Sequence, residues 1–98
     1  MLTGKQRAYL RGLANTLPTI GQVGKEGVTE SVTAFADGAL KARELIKLRV
    51  LDSSLMTARE ACGLLCEALS AEPVQCIGTR FVIFRRNEEK PVIELPKE

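Results

Sequence analysis

The 98 residues predict a compact single-domain α/β fold in the order α-β-α-β-α-β-β, with a four-stranded mixed sheet packed by helices. Three observations carry this. Apolar residues recur at helical spacing in three segments, each bounded by a capping residue, a proline or a glycine. Between the helices stand short runs rich in Ile, Leu and Val that alternate with polar residues, as half-buried strands do. The last two runs are joined only by Gly78-Thr79, a tight hairpin turn. A chain of this length buries roughly 60–65% of its unfolded surface as one domain, with its core at 2–86 and a tail at 87–98.

The first helix is expected over residues 3–15. At 100° per residue Leu2, Tyr9, Leu10 and Leu13 share an arc, with Arg7 and Arg11 beyond one edge and Lys5 beyond the other. Leu17-Pro18 ends it, because a residue before proline is pushed out of the α region. A strand at 19–23 runs into Gly24-Lys25-Glu26-Gly27. The second helix, 30–43, places Val28, Val32, Phe35, Ala36, Ala39 and Leu40 on one face, behind Thr29 as N-cap. Residues 44–52 alternate as a strand, Ile46, Leu48 and Val50 to one side and Lys47 and Arg49 to the other.

The third helix, 57–71, opens with the capping box Thr57-x-x-Glu60 and buries Ala58, Ala61, Cys62, Leu65, Ala68 and Leu69. Pro73 closes it. Strands at 74–77 and 80–86 form the hairpin. Phe81 and Ile83 oppose Val82 and Phe84 in parity, so this strand is apolar on both faces. The tail carries Pro91 and Pro96 and has room for one edge strand at 92–95; otherwise it is loose.

Net charge is only +2, but the charges are sorted. Lys5, Arg7, Arg11 and Lys25 stand in the first 25 residues without an acid. Lys41, Arg43, Lys47 and Arg49 face Glu44 alone, and Arg80, Arg85 and Arg86 are unopposed. Asp52, Glu60, Glu67 and Glu72 face only Arg59. A basic face and an acidic face are implied.

Three cysteines without any histidine, and without a CxxC spacing, hold no metal of the usual kinds and read as buried thiols. No nucleophile–base pair, P-loop or dinucleotide fingerprint is present, so no catalytic residue, cofactor or small-molecule substrate is expected. No apolar run reaches membrane-spanning length and the first residues lack a signal peptide's apolar stretch, which predicts a cytoplasmic protein with no membrane partner.

The two glycines around Lys25, at a helix N-terminus, would let backbone N–H groups approach a phosphate. In a chain with eight glycines such spacing alone is weak; the basic clusters around it give it weight. Together they point to RNA recognised through shape and backbone, with Tyr9, Phe35, Phe81 and Phe84 mostly turned to the core. The expected surface comprises Gly24, Lys25, Glu26, Gly27, Lys5, Arg7, Arg11, Lys47 and Arg49, with Arg80 and Arg85 at the ends of the last strand. Glu60 and Glu67 are expected away from it.

At this level the chain resembles the CRM domain (chloroplast RNA splicing and ribosome maturation), more narrowly its single-domain bacterial YhbY-type members. The resemblance runs from Leu2 to Arg85 and rests on Lys5-Gln6-Arg7, Leu10-Arg11-Gly12-Leu13-Ala14, Val23-Gly24-x-x-Gly27-Val28-Thr29, Glu44-Leu45-Ile46-Lys47 and Val74-Gln75-x-Ile77-Gly78. It implies an RNA-binding domain similar in topology to the C-terminal domain of translation initiation factor three, with a GxxG loop like that of KH domains. It also implies a partner among ribosomal RNA and large-subunit precursors, and a role in assembling that subunit. The chain departs from the family pattern at Glu26, whose charge opposes phosphate approach, and at Phe84, where a tyrosine is common. Two other classes fit the residues: an adaptor docking on ribosomal or assembly proteins through the sheet or the acidic third helix, and a thiol-dependent enzyme using Cys66 or Cys76.

Overall fold

The computed structural model describes residues 2–97. Its elements are α1 (Gly4–Ala14), β1 (Thr19–Val23), α2 (Glu30–Arg43), β2 (Leu45–Val50), α3 (Ala58–Leu69), β3 (Glu72–Ile77) and β4 (Arg80–Phe84), in the predicted order. Each helix begins on a threonine whose hydroxyl accepts a hydrogen bond from the backbone N–H three residues on: Thr3 from Gln6, Thr29 from Val32, Thr57 from Glu60. These bonds satisfy donors that a helix start otherwise leaves open.

The sheet runs β1-β2-β4-β3. β1 and β2 are parallel, joined across the sheet by α2, while β4 is antiparallel to both of its neighbours. β4 is therefore a central strand, and Phe81, Val82, Ile83 and Phe84 are all buried, as their opposed parities require. Phe81 and Ile83 join Ile46 and Leu48 beneath α2 and α3. Val82 and Phe84 join Leu45 and Val74 beneath Leu10 and Ala14 of α1. The helices thus lie on two faces, α2 and α3 on one and α1 on the other.

Four expectations change. Tyr9 and Phe35 are 43% and 48% exposed, and Ala14 takes the buried place on α1. On α3, Cys66 rather than Ala68 completes the buried stripe. The tail forms no strand at 92–95; instead Ile93 and Leu95 pack on the α1 cluster, and Gln6 donates to the Pro96 carbonyl at 3.1 Å. Glu44 does not begin β2 as a surface acid. It caps α2 with φ +65° and is fully buried. Its carboxylate accepts backbone N–H bonds from Asn87 (2.6 Å), Val92 (2.7 Å) and Ile93 (2.6 Å), which pins the tail to the fold.

Candidate nucleic-acid interface

The 24–27 loop leaves the C-terminal end of β1. Because β2 runs parallel beside it, the loop meets the end of β2, where the Leu51 N–H donates to the Val23 carbonyl at 2.9 Å. The Val50 N–H donates to Thr79 at 2.7 Å, bringing the β3–β4 turn to the same end. Within the loop the Gly27 N–H donates to the Gly24 carbonyl at 3.0 Å.

The two glycines stand in different environments. Gly27 is buried with φ +78°, and a Cβ there would lie 3.1 Å from Met56 Cε. The fold itself asks for glycine at that position. At Gly24 a Cβ would meet only Leu51 Cδ1, at an ordinary 3.8 Å. Packing does not demand a glycine there. Lys25 and Glu26 are exposed between them.

The alternation of β2 is as the sequence implied: Leu45, Lys47 and Arg49 share the α1 face, and Ile46 and Leu48 the other. The register lines up Gln22, Arg49, Arg80 and Ile77 as one row across all four strands at the loop end, all exposed. Arg49 and Arg80 are direct cross-strand neighbours lining a hollow of about 460 Å³ with Gln22 and Thr19. Arg49 Nη2 lies 3.5 Å from Gln22 Oε1, and among the described residues neither arginine has a carboxylate partner. Like charges directly opposite on neighbouring strands cost a few tenths to about 1 kcal/mol. A bound anion reverses that sign.

Nearer α1, Lys47 is half-buried in the next row. Arg7 Nε donates to the Pro73 carbonyl at 3.2 Å, on the β3 side of the helix. Arg11, one turn on, follows on that side of α1 and is exposed, as is Lys5.

Arg85 is placed elsewhere. It lies past the other end of β4, on the α2–α3 side, with its side chain 20% exposed. Its guanidinium binds Asp37 Oδ1 at 2.9 Å, the Leu69 carbonyl at 3.0 Å and the Asp37 carbonyl at 3.2 Å. The Arg85 and Lys41 hydrogen bonds hold the Asp37 carboxyl below its ordinary range. Arg85 is thus a strut joining α2 to the end of α3, apart from the basic row. Glu60 also departs from expectation: its capping-box position brings it beside the loop, where it lines a hollow with Lys25 and Gly27.

Cys62 and Cys66 are buried and Cys76 half-buried, all as free thiols. Burial pushes Cys76 up to about 11, so at neutral pH it is a thiol rather than the thiolate a nucleophile requires. Cys66 is 8% exposed. Among the described residues no His, Cys, Asp or Glu cluster is arranged to hold a metal, and no helix is long and apolar enough to cross a membrane.

Two residues of this end escaped sequence reasoning. Gln22 had a signal, its parity opposite the inward Gly21 and Val23. Leu55, which follows Asp52-Ser53-Ser54 and is 99% exposed, had none.

The family model for the CRS1 / YhbY (CRM) domain matches residues 2–85. The chain is 40% identical to the "Probable RNA-binding protein YqeI" of Bacillus subtilis, over 98% of this chain and 100% of that one. It is 35% identical to an "RNA-binding protein" of Haemophilus influenzae, over 99% and 97% of the two chains. Among solved structures, the solution structure of SAV1595 from Staphylococcus aureus is similar with a TM-score of 0.82 and 45% identity, over 98% of this chain and 100% of that one.

Proposed function

Because the chain belongs to the CRS1/YhbY (CRM) domain family, we propose that it is a non-catalytic, cytoplasmic RNA-binding protein that grips the backbone of structured RNA during assembly of the large ribosomal subunit. The observation that carries the reading is the convergence at one end of the sheet. An exposed Lys25 between two glycines stands at the same end as the row of Gln22, Arg49 and Arg80. Neighbouring strands lie about 4.8 Å apart, so the row and the loop that leaves β1 form one continuous edge of the sheet. One RNA backbone can therefore meet the loop and the arginine row in succession. RNA-binding relatives at 35–40% identity support the same reading.

The test is the salt dependence of affinity for large-subunit ribosomal RNA fragments. Binding through several phosphates weakens steeply with salt, each contact contributing about 0.7–0.9 to the slope of log K against log salt. Arg49→Gln and Arg80→Gln are each expected to lower that slope by about this amount and to weaken different RNAs alike. Arg85→Gln is expected to leave the slope unchanged and to lower Tm by several degrees through loss of the α2–α3 strut. A flat salt profile with retained binding to ribosomal particles would favour the adaptor reading instead.

A further inference from the structure

The 24–27 loop and the chain entering α3 flank a second, open hollow, of about 260 Å³. That is just under the ~300 Å³ at which pockets for drug-sized ligands begin, so it suits a single ring system. One wall is Lys25, Glu26 and Gly27; the other is Ser54, Leu55, Met56 and Glu60. Leu55 is 99% exposed, the most exposed large hydrophobic among the described residues, and buries nothing in folding. Met56 lies under Gly27 and is half-buried. The apolar wall thus stands directly beside the basic loop tip.

Glu60 is already oriented. Its Oε1 accepts the Thr57 N–H at 2.9 Å while its own N–H donates to Thr57 Oγ1 at 3.1 Å. The Thr57 N–H and, after it, the Thr57 hydroxyl hold the carboxyl below its ordinary range, so it stays ionised and accepts only. Each carboxylate oxygen accepts two bonds, so acceptor sites remain beside the one that the Thr57 N–H fills. Glu60 and Glu26 together keep a phosphate from passing deeper than Lys25. The interior therefore favours a neutral group with an apolar face and hydrogen-bond donors at its edge, which is the chemistry of a nucleobase.

Among the four bases the Watson–Crick edges differ. Guanine alone presents two adjacent donors, N1–H and the 2-amino group, which match the two oxygens of a carboxylate. Adenine and cytosine set an acceptor beside their one donor, and uracil flanks its donor with two acceptors; each gives a carboxylate one bond and sets an acceptor against its other oxygen. We propose that this hollow holds one unstacked guanine of the bound RNA, with its ring on Leu55 and Met56, its donor edge on Glu60, and an adjoining phosphate at Lys25. The proposal rests on the RNA-binding reading but adds to it a base preference, which backbone contact does not provide.

The test uses the full chain and uridine octamers carrying one central guanine, inosine, adenine or no substitution, at constant salt. The guanine octamer is expected to bind about tenfold more tightly than the adenine one, with inosine, which lacks the 2-amino group, between them. Glu60→Gln keeps an oxygen for the Thr57 cap but offers an amino group in place of the other oxygen. It is expected to abolish the guanine preference. Leu55→Ala is expected to weaken the guanine octamer alone. Equal binding of guanine and adenine octamers by the wild-type chain would overturn the base pocket and leave RNA binding standing. An unchanged preference in Glu60→Gln would overturn it as well. Failure to bind any octamer or any ribosomal RNA fragment would overturn the functional reading together with it.

Discussion

Gly24→Val is expected to weaken RNA binding by tenfold or more while leaving Tm nearly unchanged. The argument turns on the difference between the two loop glycines. A Cβ at Gly24 meets only Leu51 Cδ1 at 3.8 Å, a normal contact, and the residue is not held at positive φ. The folded protein loses little. A phosphate resting on the backbone would instead meet the new methyl groups, and a charge-assisted hydrogen bond worth about 1.5–3 kcal/mol would be lost. That corresponds to roughly ten- to a hundredfold in affinity. Gly27→Val is expected to behave differently, because its φ of +78° and the 3.1 Å approach to Met56 Cε make any side chain strained. Stability should fall there by about 1–3 kcal/mol, with binding falling alongside. Melting curves and fluorescence anisotropy on the same preparations separate the two effects. Undiminished affinity in a folded Gly24→Val protein would place the loop outside the interface.

That contrast was out of reach of the sequence, which presents the two glycines as equivalents, and the reason is general to this chain. Local patterns gave the elements: the Thr29 and Thr57 caps, the parity of β2 and the two-faced apolar run of β4 depend on neighbours in sequence. They were legible, and with them the placement of Lys47 and Arg49 on one face. What pairs at long range was not. Arg85 reads as one more basic residue after β4, but Asp37, 48 positions away, and the end of α3 take its guanidinium. Glu60 reads as an acid on a solvated helix face, yet the end of β2 and the end of β1 meet beside it. Arg80 reads as a strand-end charge, and only the β2–β4 register sets it opposite Arg49. Phe35 follows the helical stripe faithfully, but β1 is an edge strand and leaves half of the ring uncovered.

Glu44 is the extreme case of a long-range role, and Glu44→Ala is expected to be among the most destabilising changes outside the apolar core, by about 2–4 kcal/mol. The carboxylate is fully buried and accepts three backbone N–H bonds from the tail. Removing it leaves those donors unsatisfied, at about 1–3 kcal/mol each if the tail stays docked. If the tail detaches to find water, Ile93 and Leu95 leave the α1 cluster and their apolar burial is lost instead. The cheaper route sets the cost. Glu44→Gly should be milder by about 1 kcal/mol, since glycine accepts the φ of +65° without strain. Ending the chain after Arg86 should destabilise to a similar extent, and combining that truncation with Glu44→Ala should add little, because both remove one interaction.

The same residue makes a pH prediction. Burial raises the Glu44 carboxyl, but the N–H donors of Asn87, Ile93 and Val92, helped by the charge of Arg86, outweigh it and hold the group below its ordinary 4.5. A group depressed in the folded state contributes stability that is complete above its unfolded value and disappears as pH falls through the folded one. Urea unfolding from neutral pH down through the carboxylate range should therefore show wild-type stability falling below about 4.5 more steeply than that of Glu44→Gln, whose side chain does not titrate. Parallel acid profiles for the two proteins would mean that other carboxylates, Asp37 with its Arg85 pair first among them, control the acid limit. The Arg85→Gln protein would then lose the difference that Glu44→Gln failed to remove.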